Sequence, residues 1–507
     1  MPAGLSKSKY VAYCQCPKLL WLSEYRCDQE TKDSKADSIM ENGRKVGELA
    51  RTYFDGTVNA TVYYPDGTPN PAAMVLQTEK LIKAGTEVIA EAAFSYQGNY
   101  CAVDLLVNCG DGWMIYEVKS TTADSSEDKS EDARNEQMHT IDIAYQKWVL
   151  EQCGLKIVGT HLLALDKTYR LGDELDVHGL FADLDYAEQV AEYYPAVANG
   201  VEEAQRILSY VNEPSIIAPT ENCHKKCPFW AYCTKHLPEH NPFSIMGMQF
   251  RSAIKLYNQG YVSFEQLRTA PKLNPNYLKV VQAQLDDVDF IELPAIRAFL
   301  DTITYPLYHL DFETMQPAIP EFKGTKPYQQ IPFQYSLHIQ YEPCGPVEHK
   351  EFLAVSGTDP LRDIAESLVR DIPMGACSLA YNKAFEQTRL KELAEMFPDL
   401  SDHLLSIRDG MIDLDVPFRQ KNYYTKAMQG SYSIKYVLPA LFPNDPELDY
   451  HSLEDVHNGG EAMTIFPKIQ FMSPDEQTRV RSNLLKYCCL DTYAMVKVLS
   501  KLYEVAK

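Results

Sequence analysis

Residues 305–314 read Tyr-Pro-Leu-Tyr-His-Leu-Asp-Phe-Glu-Thr, and this stretch decides how the C-terminal part of the chain is interpreted. Its aromatic and apolar residues predict a β-strand at 305–312. Asp311 and Glu313 are two residues apart, so extended backbone presents both carboxylates on one face and turns Phe312 toward the core. Such a pair can hold a divalent metal ion, although two solvated acids on an exposed strand have the same spacing.

The sequence after this strand alternates strand and helix patterns, which is typical of an α/β fold. We predict strands at 333–341, 350–355 and 377–381, and helices at 359–371 and 383–396. Glu386, in Leu-Ala-Tyr-Asn-Lys-Ala-Phe-Glu, lies near the start of the second of these helices. Near the C-terminus, in Tyr-Cys-Cys-Leu-Asp, Tyr487 and Asp491 are four residues apart and therefore share one helix face.

In this order, the three segments resemble the motifs of the DEDD exonucleases, a family with an RNase H-like fold. The resemblance covers residues 301–507. It implies that Asp311, Glu313, Glu386 and Asp491 bind two Mg²⁺ or Mn²⁺ ions and that the domain is a 3′-to-5′ exonuclease. It also implies that Tyr487 orients the attacking water, as in the tyrosine subgroup of the family.

Two metal ions roughly 3.5–4 Å apart can bind the attacking hydroxide and the leaving oxygen, and carboxylates are the groups that hold cations so close. Glu386 stands where the family usually carries Asp. Its extra methylene is expected to displace the second metal by about an ångström, which can cost on the order of 10²-fold in rate. Asp413, in Met-Ile-Asp-Leu-Asp, matches an auxiliary acid of such domains, and a helix-capping role explains it equally well.

A second group of polar residues lies in the N-terminal half. Residues 99–121 predict a β-hairpin in which apolar strands flank a Gly-Asp-Gly turn. Asp104 lies on the first strand. Glu117 and Lys119 are two residues apart on the second strand and share one face, while Val118 points into the core. A solvated strand face gives the same Glu-x-Lys triplet.

With its surroundings, this hairpin resembles the PD-(D/E)XK nuclease superfamily and its RecB-like members. The resemblance implies that Asp104 and Glu117 hold a metal ion and that Lys119 orients or deprotonates the attacking water. It also implies that Glu91 is an additional metal-binding acid. Gln146, on the following helix, corresponds to a glutamine of the RecB-like members.

Cys223, Cys227 and Cys233 follow a C-x₃-C-x₅-C spacing, and Cys16 is a fourth candidate ligand near the N-terminus. The arrangement resembles RecB-like nucleases with an iron–sulfur clasp, which implies that the four thiolates hold a 4Fe–4S cluster and tie together the two ends of the first module. Structural Zn²⁺ is the alternative metal, and Cys14 is a possible substitute ligand.

Proline follows two of these thiols directly, in Cys16-Pro17 and Cys227-Pro228, and proline favours the first position of a helix. We therefore expect helix N-termini beside the cluster. The eight cysteines outside the clasp and Cys14, including Cys488 and Cys489, are predicted to be small buried hydrophobic residues.

The composition of the whole chain sets further bounds. Its 507 residues suggest two to four folding units, and 13 cysteines at irregular spacings favour metal ligation over disulfides. The N-terminus lacks the apolar run of a secretory signal, and no stretch approaches the ~18 apolar residues of a membrane span, so we expect a cytoplasmic protein without a membrane partner. A net charge of −22 argues against a basic nucleic-acid coat but leaves room for a nuclease with a local basic groove.

We predict a nuclease domain with the four-cysteine cluster at 1–240, a helical connector at 241–300 and the exonuclease domain at 301–507. The acidic stretch at 123–132 is predicted to be a mobile loop. The whole chain resembles a bacterial family that joins these two nuclease types. The resemblance implies this architecture and no particular pathway, and our leading hypothesis is a DNA nuclease that trims or degrades ends in repair, CRISPR-linked processing or defence against foreign DNA. An RNA-processing exonuclease and a nucleic-acid-binding scaffold with an inactive exonuclease-like domain are the alternatives.

Overall fold

The structure, a computed structural model, describes residues 4–31, 36–123, 129–448, 450, 453 and 455–507. The chain forms two compact units, one made of Met1–Lys235 with Pro317–Gln329 and one made of His236–Gln316 with Gln330–Lys507. Both are mixed α/β units, which confirms the predicted fold class at this coarse level. Nowhere in the described ranges is a helix long and apolar enough to cross a membrane.

The two units differ from the predicted three regions in two respects. The helical region at 241–300 belongs to the second compact unit, because its helices pack with the C-terminal residues. Residues 317–329, which lie inside the predicted third domain, belong to the first unit, where Ala318, Ile319 and Tyr328 pack in a hydrophobic cluster. Hydrophobic periodicity in a sequence indicates where helices and strands lie, but it does not indicate to which of two compact units a short segment belongs.

The first unit is built on a seven-stranded sheet with the order β2-β3-β4-β5-β6-β7, to which β1 is added by pairing with β4. Its strands are β1 (Leu5–Ser6), β2 (Val58–Asn59), β3 (Val88–Tyr96), β4 (Asn99–Asn108), β5 (Trp113–Thr122), β6 (Ile157–Leu165) and β7 (Phe181–Asp185). β3, β4 and β5 form an antiparallel meander. β6 runs parallel to β5, and a parallel pair requires a crossover connection.

Helices cover both faces of this sheet. They are α1 (Lys7–Gln15), α2 (Pro17–Tyr25), α3 (Ala36–Ala50), α4 (Pro71–Lys83), α5 (Lys129–Gln152), α6 (Val177–Leu180), α7 (Ala187–Tyr193), α8 (Val197–Leu208) and α9 (Trp230–Thr234). α5 supplies the crossover between β5 and β6. Of the predicted loop at 123–132, residues 124–128 lie outside the described residues, and the helix begins at Lys129.

The second unit contains a five-stranded sheet in the order β11-β10-β9-β12-β13 and a separate pair of short strands. The strands are β8 (Phe290–Ile291), β9 (Leu307–Met315), β10 (Ile331–Gln340), β11 (Val347–Leu353), β12 (Cys377–Ala380), β13 (Met411–Asp413) and β14 (Tyr423–Tyr424). β9 lies in the middle, antiparallel to β10 and parallel to β12. Asp311 and Glu313 are therefore on a central strand, opposite Ser336 and Gln334 of β10.

The helices of the second unit are α10 (Phe250–Asn258), α11 (Phe264–Leu267), α12 (Pro275–Asp286), α13 (Leu293–Leu300), α14 (Leu361–Asp371), α15 (Ala384–Met396), α16 (Ser401–Asp409), α17 (Val416–Arg419), α18 (Ile434–Leu441), α19 (Gly459–Ile465) and α20 (Pro474–Ala506). α20 begins with a capping box of Ser473 and Glu476 and packs across β9, β10 and β11. The strands and helices predicted between 305 and 396 are confirmed to within a few residues, and Phe312 is buried as predicted.

Candidate functional site

A pocket of about 480 Å³ in the second unit is lined by acids from four different elements. Asp311 and Glu313 come from β9, and Glu386 comes from the first turn of α15. Asp491 projects from the middle of α20, and Tyr487 lies one turn before it. The structure thus brings all five predicted residues of this region to one pocket.

Burial and mutual repulsion dominate the electrostatics of the pocket. Burial raises the pKa of Asp311 well above its usual range, and the charges of Asp491, Glu386 and Glu313 raise it further. The pKa of Glu313 is raised well above its usual range by burial and by Asp491, while Lys435 opposes the shift. These acids stay partly protonated near neutral pH unless a cation compensates their charge.

Burial also raises the carboxyl pKa values of Glu386 and Asp491. Burial raises the pKa of Glu386 to about 8, and the Glu386 Oε2 atom has no hydrogen-bond partner. Burial raises the pKa of Asp491 to about 6, although the Tyr450 hydroxyl donates to its Oδ1 atom at 2.6 Å and partly offsets this. A buried carboxylate oxygen without a donor is costly and requires a cation or an ordered donor.

A thiol lies beside the strand acids. Cys488 donates to the backbone carbonyl of Asp311 at 3.8 Å, and ligand atoms of Asp311, Glu313 and Cys488 lie within 4.8 Å of one another. Burial raises the pKa of the Cys488 thiol, so the sulfur stays protonated. The oxygen-rich remainder of the pocket fits a hard divalent cation such as Mg²⁺ or Mn²⁺ better than a thiolate-binding metal.

The sequence left two roles open for Asp413 of Met-Ile-Asp-Leu-Asp, and Asp413 does not line the acidic pocket. Asp413 accepts from the backbone N–H groups of Asn382 at 2.9 Å and Asp415 at 3.3 Å, which is the structural, cap-like alternative. Asp415 lines the acidic pocket instead. Burial raises its pKa to about 6, and Arg419 lies 3.3 Å from its Oδ1 atom. The chain turns after β13, so strand alternation could not indicate which acid faces the pocket.

Two cations of the pocket were also missed. Lys435, in the first turn of α18, opposes the rise in the pKa of Glu313 and Asp491. Arg419 is the last residue of α17. Phe385 and Tyr432 add aromatic surface to the same wall. No sequence spacing links Lys435 and Arg419 to β9, because α18 and α17 lie far from β9 in the sequence and bring these side chains to the pocket only in the folded chain.

The first unit brings together the residues predicted from the hairpin. Glu117 and Lys119 lie on β5, with Lys119 Nζ 2.6 Å from Glu117 Oε1. Gln146, on α5, donates to Glu117 Oε2 at 2.7 Å. Asp104, on β4, accepts from the backbone N–H of Val118 at 2.7 Å. Val118 packs against a hydrophobic cluster on the other face, as predicted.

Sequence reasoning missed two members of this site. Lys7 Nζ contacts both carboxylate oxygens of Glu117 at 3.1 Å, and Asp142 accepts from Lys119 at 2.8 Å. Asp142 lies one turn before Gln146 on α5, so helical spacing could have found it. Lys7 stands 110 residues before Glu117, at the start of α1, and no local pattern could have found it.

The charges of this site determine its protonation. Burial raises the pKa of Asp104 to about 7, with a contribution from Glu117. Burial also opposes the charge of Glu117, but Lys119 and Lys7 outweigh it and lower the pKa of Glu117 below its usual range. Burial disfavours charged Lys119 as well, yet Glu117 and Asp142 raise its pKa above the usual value. Lys119 is thus an ammonium group here.

Glu91 lies on β3 with φ of 56°, a left-handed conformation that is unusual for glutamate in a strand. The alternation of side chains reverses at this point: Ile89, Ala92 and Phe94 pack in one hydrophobic cluster and Ala90 in the other. β4 reverses opposite it, around Asp104. Glu91 pairs with Arg51 at 3.1 Å and adds to the electrostatic shift of Asp104. Backbone strain of this kind clusters at functional sites.

The four clasp cysteines, Cys16, Cys223, Cys227 and Cys233, line one cavity of about 40 Å³. Cys16 is the N-cap of α2 and Pro17 follows it at the start of the helix, as predicted. The prediction for Pro228 is wrong: a turn closed by the Trp230 N–H and the Cys227 carbonyl at 2.9 Å precedes α9, which begins at Trp230.

Cys14 does not line the cavity; its sulfur lies 3.4 Å from the Tyr193 hydroxyl. Cys101 and Cys488 are buried as predicted, and Cys377 and Cys489 are half-buried. The prediction is wrong for four exposed cysteines, which lie in turns or at a helix end where the chain cannot bury them: Cys27, Cys109, Cys153 and Cys344.

Comparison with known proteins gives one family match. The family is described as a domain of unknown function (DUF2779), and it matches residues 308–433. The matched segment begins in β9, includes Asp311, Glu313, Glu386 and Asp415, and ends before α20. No curated protein matches the chain.

Proposed function

We propose that this protein is a divalent-metal-dependent nuclease and that the acidic pocket of the second unit hydrolyses phosphodiester bonds at nucleic-acid ends. The observation that carries the proposal is the convergence of Asp311, Glu313, Glu386, Asp415 and Asp491 on one pocket. Like charges buried together, with three carboxylate oxygens of Glu386 and Asp415 lacking a hydrogen-bond partner, favour binding of a positive ion. The five-stranded sheet with β9 at its centre is compatible with the RNase H-like fold.

Asp311, Glu313, Glu386 and Asp491 would hold Mg²⁺ or Mn²⁺, and the bound ions would supply Lewis-acid activation of water and of the phosphate. Tyr487 is buried, and burial raises its pKa, so its phenol keeps its proton and can orient a water molecule by donating or accepting one hydrogen bond. It is a positioning group, not a base.

The remaining wall of the pocket suits a nucleotide. Lys435 and Arg419 supply positive charge for phosphate groups in a protein of net charge −22. Phe385 and Tyr432 offer aromatic faces on which a base can stack, an interaction worth ~1–3 kcal/mol per base. A pocket of about 480 Å³ admits a single terminal nucleotide, which favours cleavage at ends.

We further propose that the first unit is a second nuclease module of the PD-(D/E)XK type. The meander β3-β4-β5, followed by α5 and parallel β6, supports this fold and places Asp104, Glu117 and Lys119 on adjoining strands. Asp104 and Glu117 would hold a cation. Lys119 stays charged, so it stabilises negative charge at the phosphate and orients water without deprotonating it.

The four thiols around the cavity support a 4Fe–4S cluster, with structural Zn²⁺ as the alternative. Cys16 lies before α2, Cys223 and Cys227 precede α9 and Cys233 lies within it, so a bound cluster would join the two ends of residues 1–235. Metal analysis after purification without oxygen separates the two: iron and sulfide at about four each support the cluster, and stoichiometric zinc without iron contradicts it.

The substrate is tested with labelled single- and double-stranded DNA and RNA, in Mg²⁺, Mn²⁺ or chelator. We expect metal-dependent release of short products from DNA. Cleavage of RNA alone would favour the RNA-processing alternative. We assign none of the described pocket residues to recognition of the 2′-hydroxyl, so the assay decides between the two polymers. Tight binding without cleavage of any substrate would favour the scaffold alternative.

A further inference from the structure

Three histidines form a row across the sheet of the second unit. His309 on β9, His338 on β10 and His349 on β11 are direct cross-strand partners, so their side chains share one sheet face. α20 packs on this face. The rings of His338 and His349 lie 4.6 Å apart between centroids, and Cys489 of α20 lies against them.

We propose that His338, His349 and Cys489 form a binding site for a thiolate- and imidazole-preferring divalent metal, of which Zn²⁺ is the expected one. One ring nitrogen of each histidine and the Cys489 sulfur lie within 4.8 Å of one another. Two nitrogens and one sulfur are donors that Zn²⁺ binds readily and that Mg²⁺ and Mn²⁺ bind poorly. None of the three residues lines the acidic pocket.

The hydrogen bonds around the cluster leave ligand lone pairs available. Thr492 donates to the Cys489 carbonyl at 3.2 Å, and its oxygen lies 2.6 Å from Ser336 Oγ and 2.8 Å from His338 Nδ1. Ser336 Oγ lies 2.9 Å from His349 Nε2. In the tautomers that donate from these two nitrogens to the hydroxyl oxygens, each neutral imidazole keeps its second nitrogen as a lone pair. Hydrogen bonds from the far nitrogen to a protein acceptor are the usual support of a metal-binding histidine.

The protonation of the two histidines suits a metal. Burial lowers the pKa of His338 to about 3, and partial desolvation lowers the pKa of His349, so both rings are neutral at physiological pH. Burial and the charge of Glu351 raise the pKa of the Cys489 thiol, so the metal must displace its proton, which passes to solvent with no change of oxidation state. His349 is exposed and gives the metal a path from solvent.

Glu351 supplies negative charge beside the cluster. It follows His349 by two residues on β11, shares its sheet face and is the cross-strand partner of Ser336. Its charge acts on both His349 and Cys489. A bound metal would link the edge strand β11 to α20, the helix that also carries Asp491.

The test is zinc titration of the reduced full-length protein, purified without oxygen so that any metal held by the four clasp cysteines stays in place, with excess Mg²⁺ present to occupy carboxylate sites. The variants are His349→Ala and Cys489→Ser, and the matched control is Cys344→Ser, an exposed cysteine of the same unit. Bound zinc is measured per chain, and Co²⁺ serves as the spectroscopic probe of a thiolate ligand.

We expect the wild type and Cys344→Ser to bind one zinc ion that both His349→Ala and Cys489→Ser lose, together with the thiolate-to-cobalt absorption. Glu351→Gln should weaken the affinity on the order of 10-fold. Equal zinc stoichiometry and affinity in the wild type, His349→Ala, Cys489→Ser and Cys344→Ser would overturn the proposal, as would absence of zinc binding in the wild type. His349 is exposed, so His349→Ala remains informative even if Cys489→Ser folds poorly.

Discussion

Glu386 stands where aspartate is usual in the family that the sequence resembles, and the structure shows where its longer side chain lies. The sequence predicts an acid near a helix start, and the extra methylene relative to aspartate is expected to weaken the metal site. In the structure Glu386 reaches the acidic pocket and acts electrostatically on Asp311 and Glu313. The pocket is therefore built around the longer side chain.

Shortening this side chain should harm the site. We expect Glu386→Asp to lower the rate of DNA cleavage on the order of 10²-fold, because the carboxylate moves by about an ångström. Single-turnover kinetics in Mn²⁺ measure it, with Glu392→Asp on the same helix as the control. A faster Glu386→Asp enzyme would mean that the glutamate impairs the natural site.

The raised carboxyl pKa values also predict how stability depends on pH. Folding raises the pKa of Glu386 from 4.5 to about 8, so the metal-free folded state binds more protons than the unfolded state between these values. Its stabilising effect is complete below the unfolded pKa and is lost as the pH rises through about 8. We expect the melting temperature of metal-free protein to fall by several degrees from pH 6 to pH 8.5.

Glu386→Gln is the matched variant, since it cannot ionise. Its melting temperature should change less over the same pH range, and saturating Mg²⁺ should remove most of the wild-type loss. An identical pH profile for wild type and Glu386→Gln would contradict the assignment of the shift to this residue.

At the scale of elements, α1 and α5 complete the site of the first unit. β4 and β5 supply the predicted acids, but α5 adds Asp142 and α1 adds Lys7, so a largely buried ion-pair network joins α1, β5 and α5. The alternation of side chains between the two faces of the sheet reverses at Glu91 on β3 and at Asp104 on β4. A strictly alternating pattern, which sequence reasoning assumes, cannot reveal such a reversal.

Removing Lys7 should destabilise this network. Glu117 is 1% exposed and would lose one of its two ammonium partners, which should cost about 2 kcal/mol or more in the free energy of unfolding. Urea denaturation of Lys7→Met measures this, and Lys9→Met on the same helix is the control because Lys9 pairs with the half-buried Glu24. Equal stability of the two variants would show that Lys7 contributes little.

At the scale of the whole molecule, the sequence predicted the elements between 305 and 396 and the hairpin at 99–121, because strand alternation, helix spacing and short motifs are local signals. Placement of Asp104, Glu117, Lys119 and Gln146 on a hairpin and the next helix is confirmed. The rest depends on long-range packing. Residues 317–329 belong to the first unit, and Asp415 rather than Asp413 lines the acidic pocket. Both facts depend on how loops pack in the folded chain, which no local sequence pattern encodes.

The proposed clasp belongs to this scale, because Cys16 lies more than 200 residues before the other three cysteines. A cluster that joins Cys16 to Cys223, Cys227 and Cys233 should stabilise residues 1–235 by closing a long loop. We expect Cys16→Ser to lose the iron and to be cleaved faster by protease within this region, whereas Cys27→Ser, an exposed neighbour, should retain both iron and resistance. Full iron content in Cys16→Ser would remove Cys16 from the ligand set.

The most direct measurement is cleavage of an end-labelled DNA oligonucleotide in Mn²⁺ by four proteins: Asp311→Asn, Lys119→Met and their surface controls Asp402→Asn and Lys80→Met. If the acidic pocket is the exonuclease site, Asp311→Asn loses at least ~100-fold of the stepwise release from the end while Asp402→Asn does not. The activity left should then depend on Lys119. Stepwise cleavage that is unchanged in Asp311→Asn would contradict the assignment of the acidic pocket.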